Sequence, residues 1–319
     1  SQVTHPIISI NTPGKGGIGY PEKLSLQGKT EKADMPEILP AKAWTYKSPN
    51  PLSIAAFDKM HGLRSNIVTS LIQDNDGNIW FGTSQGVTRY NGSTFANYTK
   101  NEGLVDNDIR SVFQDSRGNI WFGSLGAGFT IYDGYTFTSF TKGGGLPETG
   151  IPSIAEDKKG NVWLSMWEKG VIKFDGNSFV HYSTANGLMS NTVVSITADK
   201  NGLVWFGTDK GIAKYDGKSF TNYYFQDGAK SVGISCILED NTGRLWAGAN
   251  TGALYYYDRG QWNCFNAANK IINDIPFALL QDRGGNIWIG TRSGLTKFNG
   301  KTFLSYTEDD GLTSSNIYC

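Results

Sequence analysis

Tryptophan recurs at Trp80, Trp121, Trp163, Trp205, Trp246 and Trp288, at intervals of 41, 42, 42, 41 and 42 residues. Each sits in the same local sentence, which around the first reads Asp74-x-x-Gly77-Asn78-Ile79-Trp80-Phe81-Gly82-Thr83, then Gly86-Val87, Tyr90-Asn91-Gly92, Phe95, Tyr98 and Gly103-Leu104. A fixed period of this length makes each repeat one supersecondary unit that buries its apolar face only against its neighbours. Residues common to every repeat therefore build the scaffold, and function is expected where the repeats differ.

Every period divides into four short runs rich in β-branched and aromatic residues. In the first these are Ile67 to Ile72, Asn78 to Thr83, Val87 to Tyr90 and Thr94 to Tyr98, each too short for a helix. The third and fourth runs are joined by Asn91-Gly92, and elsewhere by Asp133-Gly134, Asp175-Gly176, Asp216-Gly217 and Asn299-Gly300, pairs that tolerate the positive φ of a tight hairpin. Four antiparallel strands per period predict an all-β fold, a single β-propeller. With strands lettered a to d from the centre outwards, the b–c turns and d–a crossovers share one face. The Asp-x-x-Gly and Asn-Gly turns share the other.

Six repeats are complete over 61–313. Ser315-Asn316-Ile317 restarts the opening of strand a, and Ile54, Phe57 and Gly62-Leu63 match the outer-strand positions Phe95, Tyr98 and Gly103-Leu104. The ends thus point to seven four-stranded blades, the closing one shared between the termini: up to three strands from the irregular segment 1–60, with Ile7 to Ile10 as strand b and Ala43 to Tyr46 as strand c, and the innermost strand from 314–319. Six blades plus an appendage is the alternative.

The repeat exemplified by Asp282-x-x-Gly285-Asn286-Ile287-Trp288-Ile289-Gly290-Thr291-x-x-Gly294-Leu295-x-x-Phe298-Asn299-Gly300 resembles the two-component regulator propeller repeat, over roughly residues 52 to 319. The resemblance implies a periplasmic or extracellular sensor region of the kind found in hybrid histidine kinases, often in systems that respond to carbohydrates. No immunoglobulin-like module, membrane helix or kinase follows the repeats here, so an excised sensor piece and a stand-alone secreted relative both stay open. The repeat rhythm is also similar to that of the streptogramin lyase propellers, which use histidines and a glutamate around magnesium. His5, His61 and His181 are the only histidines. None lies at a b–c turn, so the lyase chemistry is not carried over and no catalytic role or cofactor is expected.

Other features select against common functions. Acidic and basic residues balance at 29 each, which removes the electrostatic ground for binding nucleic acid. No stretch reaches the ~20 apolar residues that span a bilayer, so no membrane insertion is expected. Gly14-x-Gly16-x-x-Gly19 satisfies a dinucleotide fingerprint on paper, but Pro21 and the lack of helical periodicity deny it the helix it needs. Asp74-Asn75-Asp76-Gly77 looks like the start of a calcium loop. The bidentate acid such a loop needs would fall in the apolar strand, so aspartates capping their own turns are the better account. Cys236 and Cys264 fall on inner and outer strands of one blade, too far apart to bridge. The tryptophan, Tyr90, Phe95 and Tyr98 positions absorb 24 of the 41 aromatic residues, so an aromatic count cannot argue for a sugar platform.

The b–c turns break the monotony. They read Ser84-Gln85, Leu125-Gly126, Trp167-Glu168, Asp209-Lys210, Asn250-Thr251 and Arg292-Ser293. Arg110 stands near the mouth end of an inner strand, where other repeats have Thr69, Pro152 or Val194. A concave ring of Gln85, Trp167, Glu168, Asp209, Lys210, Asn250, Arg292 and Arg110 would offer one stacking surface and several orienting polar groups. Such a ring suits a polar small molecule or oligosaccharide, the carbohydrate assignment coming from the resemblance. Docking of a partner protein domain on the same face or on a blade edge is the alternative, and a metal-dependent lyase with Glu168 or Asp209 on a divalent ion in the channel mouth is the third reading.

Overall fold

The Asp-x-x-Gly turn shows why the period is so strict. Asp74 Oδ1 accepts the Asp76 and Asn78 amides at 3.0 and 2.8 Å, while Oδ2 accepts Trp80 Nε1 at 2.7 Å. The same indole-to-carboxylate bond recurs from Trp121 to Asp115, Trp163 to Asp157, Trp205 to Asp199, Trp246 to Asp240 and Trp288 to Asp282, at 2.8 to 2.9 Å. One carboxylate therefore closes the a–b turn and satisfies the donor of the largest core side chain, a pairing that a buried indole requires.

A computed structural model describes residues 9–11, 19–42, 45–46, 55–227, 230–265 and 274–319. Within them are six blade sheets. Strands a to d of blade one are Val68–Gln73, Ile79–Thr83, Gly86–Tyr90 and Thr94–Tyr98. Blades two to six repeat this antiparallel ladder, with outer strands Thr136–Phe140, Phe179–Tyr182, Phe220–Tyr224, Gln261–Phe265 and Phe303–Tyr306. Among the described residues no helix is long and apolar enough to cross a membrane.

The core is a ring of layers between blades. Trp163 lies 5.5 Å from Phe206 and 5.4 Å from Tyr215 of the following blade, centroid to centroid, and Trp80 reaches Phe122 and Tyr132 in the same way. Burying ~200 Å² of such a ring contributes at most about 5 kcal/mol, which makes the interblade tryptophan the main adhesive. Polar clamps finish each joint. Val112, Ile196 and Ile237 amides donate to Ser70, Ser153 and Ser195 hydroxyls of the preceding blade at 2.9 to 3.0 Å. On the opposite face, Gln114 and Glu239 side chains accept the Asn75 and Lys200 amides at 2.8 and 2.7 Å.

The glycine that opens strand c is forced by packing. Gly211 has φ +137°, and a β-carbon there would stand 2.3 Å from the Tyr223 carbonyl oxygen of the outer strand. No side chain fits that gap.

The N-terminal segment differs from expectation. Ser9–Asn11, Glu22–Leu24, Gly28–Lys32 and Glu37–Pro40 do not build a closing blade; they pair antiparallel with the outer strands of blades four, three, two and one. The stretch read as strand b of a closing blade is thus a rim strand where described, while Ile7 and Ile8 lie outside the described residues. The physical reason is that outer-strand main chain offers unpaired donors and acceptors that an extended charged segment can satisfy. Thr45–Tyr46 pairs with Ala55–Ala56 as a separate two-stranded ladder. Ala43, Trp44, Ile54 and Gly14 to Ile18 lie outside the described residues.

At the other end, Ile317 N–H donates to the Thr291 carbonyl at 2.7 Å, as Ile151 N–H donates to the Ser124 carbonyl at the joint of blades two and three. Cys319 Sγ lies 3.8 Å from the Val68 carbonyl of blade one, as Cys236 Sγ lies 3.4 Å from Pro276 O. The segment forms no strand, yet it touches both the last blade and the first. All three cysteines are free.

Candidate functional site at the channel mouth

The inner strands enclose a central channel of about 700 Å³. Its walls carry successive equivalents of one repeat position: Thr69, Arg110, Pro152, Val194, Ser235, Phe277 and Tyr318. In blades one, two, four and five the ladder slips at this position, between Val68 and Ser70, Ile109 and Ser111, Val193 and Ser195, and Ile234 and Cys236. A bulge leaves its extra residue unpaired, Arg110 in blade two, and the same position lines the channel in blades three and six, where the paired residues show no slip.

Arg110 is anchored there. Its Nε and Nη2 lie 3.0 and 3.2 Å from the two carboxylate oxygens of Asp108. The Asp108 carbonyl in turn accepts the Leu125 N–H at 2.9 Å, tying the pair to the b–c turn of blade two. The next b–c turn is fastened alike: Trp167 N–H donates to Gly150 O at 2.9 Å, and Thr149 Oγ1 donates to Trp167 O at 3.0 Å. A β-carbon on Gly150 would come within 2.3 Å of Leu125 O, so the two turns meet edge to edge. Trp167 and Leu125 are 49% and 50% exposed, although both are large apolar side chains on well-fixed backbone. Backbone contacts thus link Leu125, Trp167 and Asp108, and Asp108 holds Arg110, which lines the channel.

A second cluster lies across blade six. The Arg292 guanidinium sits 5.2 Å from the Phe277 ring centroid, and Phe277 lies 5.6 Å from Tyr318. Ser293 Oγ donates to Asp274 at 2.8 Å. Burial opposes ionisation of Asp274, but the Ser293 hydroxyl, two backbone amides and Arg292 outweigh it and hold the carboxyl below its ordinary range. Stacking on Phe277 leaves the Arg292 donors able to reach outward.

The remaining residues singled out from sequence fare unequally. Gln85, Glu168, Asp209 and Lys210 stand exposed on their turns. Gln85 and Lys210 are held only through backbone N–H bonds, to Thr83 and Thr208 Oγ1. Glu168 has φ +59°, one of two non-glycine residues in the left-handed region among those described. Such a conformation costs about 1–2 kcal/mol for a residue bearing a side chain. Asn250 departs from expectation: its Oδ1 accepts the Gly233 N–H at 3.1 Å, so that oxygen closes the turn. Phe277, Tyr318, Leu125 and Asp108 were not selected from sequence. Phe277 and Tyr318 could have been, because they occupy the Arg110 position four and five repeats later.

Of the histidines, His181 reaches the b–c turn of blade three from the outer strand, and His61 does not. His61 Nδ1 bonds Asp58 at 2.7 Å, His181 Nε2 contacts the Lys169 carbonyl, and His5 lies outside the described residues. Among the described residues, no group of three or more His, Cys, Asp or Glu could hold a metal ion.

The family described as two component regulator propeller matches residues 62–85, 103–126, 145–168, 187–210 and 270–293. No curated protein matches. Among solved structures, the chain is similar to the extracellular domain of a hybrid two component system from B. thetaiotaomicron, with 26% identity and a TM-score of 0.66, covering 76% of this chain and 34% of that one. A second extracellular domain from B. thetaiotaomicron, of a one component system, gives 22% identity and 0.68, covering 81% and 36%. A catalytically inactive virginiamycin B lyase from Staphylococcus aureus gives 12% identity and 0.64, covering 85% and 88%, and that likeness concerns the fold alone. The chain thus spans about a third of the length of the two extracellular domains. The chain carries five two component regulator propeller repeats, each matched through its tryptophan to the b–c turn and four of them from the Gly-Leu crossover onward.

Proposed function

We propose that this chain is an extracytoplasmic sensor propeller that recognises a polar ligand, an oligosaccharide fragment first among them, at the channel mouth, without catalysis. The observation that carries the reading is the half-exposed Trp167 on a well-fixed turn, whose backbone is tied through Gly150 and Leu125 to Asp108, the residue that holds the channel-lining Arg110. A flat indole covers the apolar face of a pyranose ring, while guanidinium and carboxylate groups bond its hydroxyls more strongly than neutral partners do. Arg110 and Arg292 supply donors from the two clusters. Glu168 and Asp209 supply acceptors, and Gln85 and Lys210 complete the polar rim. A 700 Å³ channel is within the range of small-ligand sites, and the apolar walls with few charged groups match their usual composition.

The similarity to an extracellular sensor domain supports both the location and the sensing role. Coupling to a kinase or another output belongs to the same proposal. Titration of oligosaccharide fragments into the wild-type chain, Trp167→Ala and Arg292→Ala tests it. A drop of at least about tenfold in each variant, worth about 1.4 kcal/mol, is expected. Equal affinity in all three proteins would remove this site.

A further inference from the structure

The outer strands of the six blades are near copies: Phe95-Ala-Asn-Tyr98, Phe137-Thr-Ser-Phe140, Phe179-Val-His-Tyr182, Phe220-Thr-Asn-Tyr223, Trp262-Asn-Cys-Phe265 and Phe303-Leu-Ser-Tyr306. None contains Asp, Glu, Lys or Arg. On blades one to four this uncharged edge is covered by a fifth strand from the N-terminal segment. Three of those rim strands are charged, through Glu22, Lys23, Lys29, Glu31, Lys32 and Glu37, and they present that charge to solvent. The rim segment thus replaces an edge that invites pairing with one that resists it.

Blades five and six differ. Among the described residues no strand covers Gln261–Phe265 or Phe303–Tyr306. In blade six the c–d register is that of blade one: Phe298 faces Phe303 and Leu295 faces Tyr306, as Tyr90 faces Phe95 and Val87 faces Tyr98. Phe303 to Ser305 therefore present the outward main-chain groups that Phe95 to Asn97 give to Leu39, Ile38 and Glu37. Leu304 is 56% exposed, where its counterpart Ala96 is buried.

We propose that the outer edge of blade six, Phe303–Tyr306, accepts an extended segment of a partner protein as an antiparallel fifth strand. The chemistry of that segment is the chemistry of the chain's own rim: lysine and glutamate alternating along the strand, with a leucine every few residues. Leu24 and Leu26 pack into the layer under blades two and three, and Leu39 into the layer under blade one. A leucine of the partner fills the same place opposite Phe303, as Leu39 lies opposite Phe95. Main-chain bonds give such pairing its affinity and the intermittent leucine gives it register. The surface lies at the periphery, away from the channel mouth, so it is independent of the sensing proposal.

The test uses the full chain and a synthetic peptide of residues 21–42 as probe, read by amide hydrogen exchange. Saturable slowing of exchange across 303–306 by at least about tenfold is expected, with the covered outer strands unchanged. Leu304→Pro removes the slowing. A peptide N-methylated at alternate backbone amides, which leaves the protein intact, gives none. Three results would overturn the proposal: no slowing at 303–306, slowing confined to the outer strands of blades one to four as the probe displaces the rim, or equal slowing by the methylated peptide. Protection that grows with protein concentration in the absence of peptide would also overturn it, since two copies would then be pairing edge to edge.

Discussion

If the Asp–Trp bond is what fixes the period, removing one carboxylate should cost more than a turn cap alone. Asp240 is buried, 7% exposed, and accepts the Thr242 and Arg244 amides at 2.9 and 3.0 Å, together with Trp246 Nε1 at 2.8 Å. Counting the Thr242 hydroxyl, which donates at 2.6 Å, Asp240→Ala loses four charge-assisted bonds and orphans an indole N–H in a residue only 2% exposed. Loss of the turn bonds costs about 1.5–3 kcal/mol and the orphaned donor about 1–3 more, a total of about 2.5–6 kcal/mol. The separation comes from a double-mutant cycle with Trp246→Phe, which has no N–H to strand. In that background Asp240→Ala should cost less by about 1–3 kcal/mol, the orphan term alone. Urea denaturation followed by far-ultraviolet circular dichroism measures all four proteins. Costs that agree within about 0.5 kcal/mol in the two backgrounds would refute the reasoning, because the carboxylate would then be serving only its turn.

Other expectations follow from single residues. Gly211→Ala, forced against the Tyr223 carbonyl at positive φ, should lower stability by at least about 2 kcal/mol in the same assay, whereas alanine at the open Gly92 turn should cost about 1–2 kcal/mol from φ alone. Glu168→Gly should raise stability by up to about 1 kcal/mol while weakening oligosaccharide binding, the sign of a strained residue kept for a purpose. For Asp74, Asp157 and Asp240 burial opposes ionisation, but the indole and turn bonds prevail and hold the carboxyls below their ordinary range; Asp282 is brought to about 2 by Asn286 and Trp288. A carboxyl depressed in the fold stabilises fully above its unfolded pKa of about 3.9 and loses that contribution as pH falls toward the folded value. Thermal midpoints should therefore be level above about pH 5 and fall steeply between about pH 4 and 2. Asp240→Asn should flatten part of that fall.

The propeller was legible because its determinants are local and repeated. Four apolar runs, a tight turn at fixed offset and one tryptophan per period leave little choice of architecture. The rim strands were not legible, since Gly28–Lys32 is exposed at every position and pairs through main chain, leaving no apolar alternation to read. The closing blade was legible only in part: the described residues read as its strand b lie in a rim strand, whereas Thr45–Tyr46 pairs with Ala55–Ala56 and Cys319 reaches Val68. At the mouth, the exposed turns were readable as the variable part of each repeat. Arg110 stands out in the sequence only as an odd residue in its column; that Asp108, two residues before it, holds its guanidinium depends on the local register of the inner strand. Asn250 looked available because a turn asparagine and a ligand-binding asparagine are the same residue until the Gly233 amide is seen to occupy it.

The most direct test of recognition at the mouth is a crystal structure of the chain with its tightest-binding oligosaccharide fragment. The account predicts a sugar ring against Trp167 with a hydroxyl about 3 Å from a guanidinium of Arg110 or Arg292. Sugar bound among the Asp-x-x-Gly turns of the opposite face, or along the rim, with the mouth filled by solvent alone, would contradict it.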